Sequence, residues 1–464
     1  MLLGYARRVF TLDVRSLAVM RIAVAATVLV DLFTRLVHCT EHYSDEGVLP
    51  RQAARAIRWV ADASLLSLSG SPAWAVAVFL AAIALAIAVL VGWRTRPCTL
   101  LLWLVVLSIQ HRNPLVLDHR DVLFSCALCY GLLLPWGDVF SLDARRRGTT
   151  RDGHRYFGVP AAAYVVQIAC IYLFAALLKT GPEWRSEFTA VEHAISLEYW
   201  ATPAAHSLLA HPTLTAALTP AVLCFEFAVA PLVLCPWRTG LARWLAVGGV
   251  CLLQLGFAVF LWLDTFPMIA SALALGLLPA SLWSRSSVPA ARELPPDGSR
   301  WLAALAAATL AYTVALNMVS LDDDPGWFAR ARLPAELFGI DQNWNMFAPA
   351  PTRIDGWFIV QSRTADGSAI DRLTGRAVDW SRPSSFREGI RTTRELVYMR
   401  RLVAVDDARR DSFAAARCRS EQPMPAALAV YFVPVIAGES QAPELLVAFD
   451  CASGRIGTRE NPRR

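Results

Sequence analysis

The sequence predicts an all-α polytopic membrane helix bundle, with about nine transmembrane helices, followed by a small β-rich domain. Hydrophobic residues make up 55% of the chain and charged residues only 18%, and the mean hydropathy is +0.41. The apolar residues form runs that suit a bilayer core of ~30 Å, which about 20 residues of helix cross. Charged and polar residues dominate only after the last of these runs.

Nine apolar runs define the predicted spans. They cover Ser16–Leu36, Pro72–Trp93, Pro97–Gln110, Asp121–Pro135, Pro160–Leu178, Leu214–Cys235, Leu241–Leu263, Phe266–Trp283 and Trp301–Val319. The third and fourth runs are short, so these helices are expected to be tilted, partly buried against neighbours or extended by polar residues. Arg21 and Asp31 interrupt the first run and no small-residue cleavage site follows it, so a cleavable signal peptide is not expected.

The arginines set the predicted orientation. With nine spans, the most basic connections all lie on one side of the membrane. They contain Arg7, Arg8, Arg94, Arg96, Arg145, Arg146, Arg147, Arg151, Arg155, Arg238, Arg243, Arg285, Arg292 and Arg300. By the positive-inside rule this side is the cytoplasm, so the N-terminus is expected inside and the C-terminal domain outside the cytoplasmic membrane. The net charge of +6 therefore belongs to loops beside a lipid bilayer, and no nucleic-acid partner is expected.

The C-terminal region is predicted to be a β-rich extracytoplasmic domain over residues 321–457, followed by a disordered tail at 458–464. Its apolar residues alternate in Gly356–Ser362 and in Ala427–Pro434, and Asp366–Gly367 is a turn signal, which is typical of strands. Cys418 and Cys451 both fall in this domain, and they could form a disulfide if it lies in an oxidising compartment.

Ionisable residues inside the apolar runs are the first candidates for function, because an unpaired charge is costly within a membrane. They are Arg21, Asp31, Arg35, Asp121, Lys179, Glu226 and Asp264. Arg21 and Asp31 lie about 15 Å apart along one helix, so each needs a partner from elsewhere. These charges could serve function, or they could form structural salt bridges that hold the bundle together.

Lys179 is the most informative of these residues. It follows a largely apolar segment at the end of the fifth run, and partial desolvation disfavours its charged ammonium form. Such a lysine can act as a base. The alternative is a lysine that snorkels to the membrane interface beside Trp184.

Several segments together resemble a known family. They are Thr11-Leu-Asp-Val-Arg-Ser-Leu-Ala-Val-Met-Arg-Ile with the following Asp31, Tyr43-Ser-Asp-Glu-Gly-Val-Leu-Pro, His111-Arg-Asn-Pro, Leu134-Pro-Trp-Gly-Asp and Ser141-Leu-Asp. In order and spacing, over residues 10–285, they resemble the bacterial HTTM proteins (horizontally transferred transmembrane domain). These are homologues of vitamin K-dependent gamma-glutamyl carboxylase.

The resemblance implies a bundle of about nine helices with an extracytoplasmic C-terminal portion, the last transmembrane helix lying at 301–319. The stretch from Ile171 to Trp184 resembles the carboxylase segment that carries a catalytic lysine, with Lys179 in the lysine position. In the carboxylase, this lysine deprotonates a reduced quinone, and oxygen then converts the quinone to a strong base. That base removes a γ-hydrogen from Glu before CO₂ adds.

A carboxylase-like lyase activity coupled to quinol oxidation is therefore expected. It would use Lys179 as its base, a reduced, vitamin K-like quinone as cofactor and a protein or peptide as substrate. The expected substrate-binding residues are Arg21, Asp31, His111, Arg112, Asn113, Asp121 and Gln254. The sequence has no zinc spacing, P-loop, dinucleotide fingerprint or G-x-S-x-G element, and no metal is expected.

The sequence also departs from the carboxylase pattern. Gln254, which cannot act as an acid or base, stands where the carboxylase has a histidine, and Leu178 with Lys179 replaces a pair of lysines. The alternative is a non-enzymatic membrane protein, either a lipid or small-solute carrier or an assembly partner of a membrane complex. An enzyme should have an outward-opening cavity with Lys179 in its wall, whereas a carrier needs a polar path to both faces.

The C-terminal domain begins with Gly339-Ile-Asp-Gln-Asn-Trp-Asn-Met-Phe-Ala-Pro-Ala-Pro. This resembles a Q-x-W-x-M-F-A-P-x-P segment that follows the bundle in bacterial relatives. Trp344, Met346 and Phe347 are predicted to form an apolar plug against the membrane face.

Overall fold

The computed structural model describes residues 2–57, 59–148, 154–283, 300–322, 330, 332–363, 368–421 and 423–456. Over these residues the chain forms a helical bundle, and an antiparallel sheet with two helices packs on one end of it. The predicted turn at Asp366–Gly367 and the predicted tail at 458–464 lie outside the described residues.

The helices of the first part of the chain account for the bundle. They are α1 (Leu2–Phe10), α2 (Val14–Val37), α3 (Cys39–Tyr43), α4 (Arg51–Ile57), α5 (Pro72–Val91), α6 (Thr95–Arg112), α7 (His119–Leu133), α8 (Leu142–Arg147), α9 (Val159–Leu178), α10 (Pro182–Arg185), α11 (Ala190–Ser196), α12 (Pro203–Leu209), α13 (Pro212–Val233), α14 (Thr239–Phe260), α15 (Phe266–Leu275), α16 (Arg300–Val319) and α17 (Leu333–Leu337). Short 3₁₀ helices lie at Trp59–Ala63, Leu65–Ser67, Pro114–Val116 and Ala280–Leu282. A small ribbon pairs β1 (Leu12–Asp13) with β2 (Arg155–Tyr156).

Each of the nine predicted spans overlaps a helix. Among the described residues, six helices are long and apolar enough to cross a membrane, namely α2, α5, α9, α13, α14 and α16. α6 and α7 cover the third and fourth predicted spans. The predicted span Phe266–Trp283 is too long, because α15 ends at Leu275. Gly276 and Pro279 follow, and both residue types interrupt a helix.

Local sequence explains where the long helices begin and end. The Asp13 side chain accepts a hydrogen bond from the backbone N–H of Arg15 at the start of α2, and Ser71 caps α5 ahead of Pro72, as N-cap rules predict. α5 ends at Gly92, whose φ is +69°. A Cβ atom at this position would lie 2.3 Å from Nη1 of Arg21, so glycine permits both the turn and the close approach.

The C-terminal region forms a sheet in the order β5-β4-β3-β6-β8-β9, with β7 paired to β6. Its strands are β3 (Ile354–Arg363), β4 (Ala369–Asp371), β5 (Arg376–Ala377), β6 (Ala427–Ile436), β7 (Glu439–Ser440), β8 (Glu444–Asp450) and β9 (Arg455–Ile456). The central pair, β3 and β6, is antiparallel over its whole length, from Ile354 opposite Ile436 to Arg363 opposite Ala427. The β-rich prediction for this region is confirmed.

Both faces of the central strands are covered. Alternate residues of a strand point to opposite faces, and Phe358 packs with Tyr398 and Phe413 in one cluster, whereas Trp357 packs with Tyr199 in another. Tyr398 lies on α18 (Thr393–Leu402) and Phe413 on α19 (Asp407–Ser420). These two helices were not predicted from the sequence, and α19 packs against β6 and β8.

The start of this region is anchored in the bundle by a polar side chain as well as an apolar one. Gln342 exchanges hydrogen bonds of 2.9 and 3.1 Å with Gln167 of α9 and accepts one of 3.3 Å from Asn317 of α16. Trp344 beside it is only 1% exposed. Of the predicted apolar plug, Trp344 is therefore buried, and Gln342 beside it has the buried hydrogen-bond partners that a buried amide needs.

A disulfide joins Cys418 of α19 to Cys451, next to β8. We expect Cys418→Ser to lower the free energy of unfolding by about 2–4 kcal/mol, because the bond restricts the unfolded chain. Denaturant unfolding of the detergent-solubilised protein measures this change. Cys224→Ser, at an exposed free cysteine, is the control and should have little effect. Equal unfolding free energies for Cys418→Ser and the wild type without reductant would contradict the prediction.

Candidate functional site

Lys179 lies at the C-terminal end of α9, with its amine turned into the protein. Its Nζ lies 2.7 and 3.0 Å from the two carboxylate oxygens of Glu226 on α13 and donates to the backbone carbonyl of Ala175 at 3.2 Å. Lys179 is 3% exposed and Glu226 5% exposed. The lysine therefore does not snorkel to the interface; it forms a buried ion pair.

Trp184 closes one side of this pair. The Nζ atom of Lys179 lies 5.2 Å from the centre of the Trp184 ring, a distance at which an ammonium and an indole attract each other. The indole N–H donates to the backbone carbonyl of Phe347 at 2.8 Å. The C-terminal region thus fixes the ring that covers Lys179.

A cavity of about 500 Å³ adjoins the ion pair, and we call it the Lys179 chamber. Lys179 and Glu226 form one part of its wall, and the rest is apolar. Its lining includes Trp184, Leu218, Phe225, Leu252, Leu253, Phe257, Phe260, Leu261, Leu263, Phe266, Met346 and Phe347. Leu252 of α14 is 70% exposed on the outside of the bundle, so the chamber lies directly behind an apolar helix surface that suits lipid contact.

A second polar pair lies behind Glu226. Tyr172 lies two turns before Lys179 on the same side of α9. Its side chain lies near those of Glu226 and of Gln254 on α14. The Oε1 atom of Gln254 is buried and has no hydrogen-bond partner among the described residues. Gln254 is thus the one predicted substrate-binding residue that the structure brings close to the Lys179 and Glu226 pair.

The rarity of lysine in the sequence also singles out Lys179. Lys179 is the only lysine among 44 lysine and arginine residues. In the buried ion pairs described below the cation is arginine. An arginine can form an ion pair with a carboxylate, but it does not release its proton in a protein, whereas a lysine can. The single lysine of the chain therefore lies in a buried ion pair.

Asp31 and Asp121 belong to a different buried cluster, which we call the four-charge cluster. Its other members are Arg35 of α2 and Arg394 of α18. Arg35 donates to Asp31 at 2.7 Å and also pairs with Asp121. Arg394 reaches in from the C-terminal region and binds Asp31 at 2.5 Å and Asp121 at 3.0 Å. Two cations and two anions balance one another, so these aspartates have the partners that a buried carboxylate needs.

A second junction lies next to the four-charge cluster. Arg120 of α7 pairs with Asp118 at 2.6 Å and with Asp264 at 2.7 Å, and it donates to the hydroxyl of Thr393 at 2.8 Å. Thr393 directly precedes Arg394 on α18. The adjacent residues Thr393 and Arg394 of α18 therefore contact Arg120 and the aspartates of the four-charge cluster, respectively.

The remaining predicted binding residues lie away from the Lys179 chamber. Arg21 donates to the backbone carbonyl of Phe140 at 2.5 Å. Arg112 donates to the carbonyls of Leu49 and Ser44 at 2.8 and 3.1 Å.

Asn113 likewise donates to the carbonyl of His42 at 2.9 Å. The His111 ring lies 3.3 Å from the carbonyl oxygen of Glu336. His111 and Asp121 line a separate cavity of about 570 Å³. Within the described residues, none of Arg21, Asp31, His111, Arg112, Asn113 and Asp121 lines the Lys179 chamber, so their substrate-binding role stays a prediction.

Removing Arg394 should destabilise the fold strongly, because two buried carboxylates would then share one arginine. We expect Arg394→Ala to lower the free energy of unfolding by about 3–5 kcal/mol. The control is Arg376→Ala, whose pair with Glu388 is exposed and should contribute about 0–1 kcal/mol. Denaturant unfolding in detergent measures both changes. Similar values for the two variants would show that the four-charge cluster does not hold the C-terminal region to the bundle.

Asp355 at the start of β3 gives the fold a pH dependence. Burial raises the pKa of its carboxyl to about 6, although the backbone N–H groups of Glu198 and Gly356 donate to it and oppose the shift. An acid with a raised pKa binds its proton more tightly in the folded chain. It stabilises the fold fully below about pH 4, and this contribution is lost as the pH rises through about 6.

We therefore expect Asp355→Asn to reduce the loss of unfolding free energy between pH 4.5 and pH 7 by on the order of 2 kcal/mol. Denaturant unfolding at a series of pH values measures this loss. Glu439→Gln, at an exposed position of β7, should leave the pH profile of the wild type unchanged. The same profile for Asp355→Asn and the wild type would contradict the assignment.

One comparison with known proteins gives a match. The family model described as HTTM domain matches residues 10–276, which include α2 through α15 and therefore Lys179, Glu226 and Gln254. No curated protein matches the chain, and no solved structure does.

Proposed function

The chain belongs to the HTTM-domain family, and on that premise we propose that it is a carboxylase-like membrane enzyme that uses Lys179 as a base on a reduced quinone. In this proposal nine helices cross the cytoplasmic membrane, with the N-terminus inside and the sheet region outside. The disulfide between Cys418 and Cys451 supports an oxidising, extracytoplasmic location for that region.

The observation that carries the proposal is the identity and surroundings of one side chain. Lys179, the only lysine of the chain, is buried against Glu226 at the wall of an apolar chamber. A structural ion pair at this position would be served by arginine, which this protein uses for its other buried pairs. The choice of lysine supports a role in which the cation gives up its proton.

The chamber suits an apolar molecule with a polar edge. Its volume of about 500 Å³ lies in the usual range for small-molecule sites, about 300–1,000 Å³. Aromatic and aliphatic side chains would hold the apolar body, and the polar edge would meet Lys179. A reduced quinone bound in this way would supply an acidic hydroxyl group and reducing equivalents.

The ion pair can handle a proton without leaving a bare charge in the apolar chamber. Moving one proton from the amine of Lys179 to the carboxylate of Glu226 gives a neutral amine and a neutral acid with the same number of protons. The amine can then accept a proton from a bound hydroxyl group, so that one O–H bond breaks and one N–H bond forms. The resulting ammonium stabilises the negative charge left opposite it, as preorganised cations do in other active sites.

Tyr172 and Gln254 would act as positioning residues in this scheme. Tyr172 lies near Glu226 and Gln254, and neither Tyr172 nor Gln254 lines the chamber, so the two side chains would restrict the carboxylate from outside it. Gln254 cannot itself exchange a proton. The proton transfer is assigned to Lys179 and Glu226, which are in direct contact.

The test compares two substitutions of Lys179 in a carboxylation assay with reduced vitamin K, ¹⁴CO₂ and a Glu-containing peptide. Lys179→Arg keeps the positive charge next to Glu226 but cannot release its proton. We expect both Lys179→Arg and Lys179→Ala to lower ¹⁴C incorporation by about 100-fold or more, the usual range for loss of a catalytic base. Arg376→Lys, which adds a lysine at an exposed site, is the control and should retain wild-type activity.

Four outcomes would contradict the proposal. Wild-type activity in Lys179→Arg would show that the lysine is not a base. Incorporation that does not depend on the lysine, or none with any variant, would reject the carboxylase assignment. Binding of the quinone to the wild type without turnover would instead favour a non-enzymatic carrier.

A readout independent of activity follows from the single lysine. Reductive ¹³C-methylation labels its amine and, besides it, only the N-terminal amine. The lysine resonance should shift when a non-oxidisable quinone analogue is added, and Gly256→Trp, which fills the chamber wall, should suppress the shift. A resonance that does not respond to the analogue would place the ligand elsewhere.

A further inference from the structure

Arg400 of α18 differs from Arg394 on the same helix, which pairs with two buried carboxylates. Its guanidinium lies 3.8 Å from the centre of the Tyr199 ring and 6.0 Å from that of Trp200. Within the described part of the chain, no carboxylate oxygen lies within 4 Å of it. By contrast, Arg394 binds two aspartates, and Arg401 donates to the carbonyl of Leu117 at 2.7 Å.

Arg400 faces a cavity of about 320 Å³, which we call the Arg400 chamber. Other polar groups of its wall already have partners. Asp118 pairs with Arg120 at 2.6 Å, and the His119 ring lies 3.1 Å from the side-chain oxygen of Asn345. The guanidinium of Arg400 is therefore the charge in this wall that no close protein carboxylate neutralises.

One acid, Asp355, acts on Arg400 without forming an ion pair with it. Asp355 interacts with Arg400 only through space, since no ion pair within 4 Å forms between them. The two carboxylate oxygens of Asp355 accept hydrogen bonds from the backbone N–H groups of Glu198 at 2.6 Å and Gly356 at 2.9 Å. Its hydrogen-bonding needs are therefore met without Arg400.

The Arg400 chamber lies beside the Lys179 chamber. Leu263, Phe266, Met346 and Phe347 belong to the walls of both. The wall of the Arg400 chamber therefore combines a cation on aromatic rings with apolar side chains that it shares with the second, larger cavity. A ligand that fits both parts of this wall has a charged end and an apolar body.

We propose that the Arg400 chamber binds the anionic group, a carboxylate or a phosphate, of an amphiphile. The apolar part of this amphiphile lies along the wall formed by Leu263, Phe266, Met346 and Phe347. A guanidinium binds carboxylate and phosphate oxygens through two parallel hydrogen bonds. The rings of Tyr199 and Trp200 exclude water from one face of the guanidinium, which strengthens its attraction to an anion.

This inference concerns a different side chain from the proposed base, and it stands whether or not Lys179 performs catalysis. The test uses the full-length protein in phosphatidylcholine nanodiscs and compares oleate with oleyl alcohol by isothermal titration calorimetry. The two probes share their apolar chain and differ in the anionic group. We expect the wild type to bind oleate about tenfold more tightly than the alcohol, which corresponds to about 1.4 kcal/mol.

Arg400→Gln should remove this preference, lowering the affinity for oleate about tenfold while leaving the affinity for the alcohol unchanged. Arg400→Lys should retain part of the preference, and Arg376→Gln, at an exposed site, should retain all of it. Equal affinities of the wild type for oleate and the alcohol would overturn the proposal. This comparison uses the wild-type protein alone, so it does not depend on the folding of any variant. An oleate preference that survives in a folded Arg400→Gln variant would also overturn it.

Two further probes identify the source of the anion. Acetate and inorganic phosphate carry the same charged groups without an apolar chain, and we expect them to bind at least tenfold more weakly than oleate and lysophosphatidate. Affinities for the soluble anions that match those of the amphiphiles would overturn the assignment of an amphiphile. In Lys179→Ala, the oleate preference should persist, which separates this result from failure of the proposed carboxylase activity.

Discussion

The fold depends on the neutralisation of buried charge. In an apolar interior an isolated ion is costly, and removing one member of a buried pair costs more than the pair contributes. α2 and α7 place Asp31 and Asp121 inside the bundle, and Arg35 alone cannot balance both. Arg394 supplies the missing cation from α18. The sheet region is therefore part of the bundle's electrostatics, and its attachment fixes Phe347 and Trp184 over Lys179.

The long apolar helices of the bundle were predicted from the sequence, because a run of apolar residues that is long enough to cross a bilayer is a clear signal. The sequence did not predict α18 and α19, because these helices contain no long apolar run. Their many arginines are typical of a solvated surface, whereas Arg394 points into the protein. The residue pattern of one helix does not indicate which residue of another helix will pair with it. A local signal did exist. The hydroxyl of Thr392 accepts a hydrogen bond from the backbone N–H of Glu395. A threonine three residues before a glutamate is typical of the start of a helix.

The candidate site was predictable in part. The apolar sequence before Lys179 indicated a lysine short of water, and the structure buries it. Glu226 was recognised as an ionisable residue in a span, but its pairing with Lys179 depends on how α9 packs against α13, which hydropathy does not encode. Met346 and Phe347 were predicted to form part of an apolar plug. They also belong to the wall that the Lys179 chamber and the Arg400 chamber share. The rarity of lysine was visible from composition alone and points to the same residue.

The source of Arg394 has a consequence for biogenesis. The ribosome makes α2 and α7 long before it reaches α18, so the translocation machinery must release both helices while their aspartates still lack this cation. Until the last part of the chain has been synthesised and has docked, Arg35 is the one cation that the four-charge cluster provides for its two aspartates. Completion of the interior is therefore a late, post-insertion event, and quality-control proteases have their best access to the chain before it occurs.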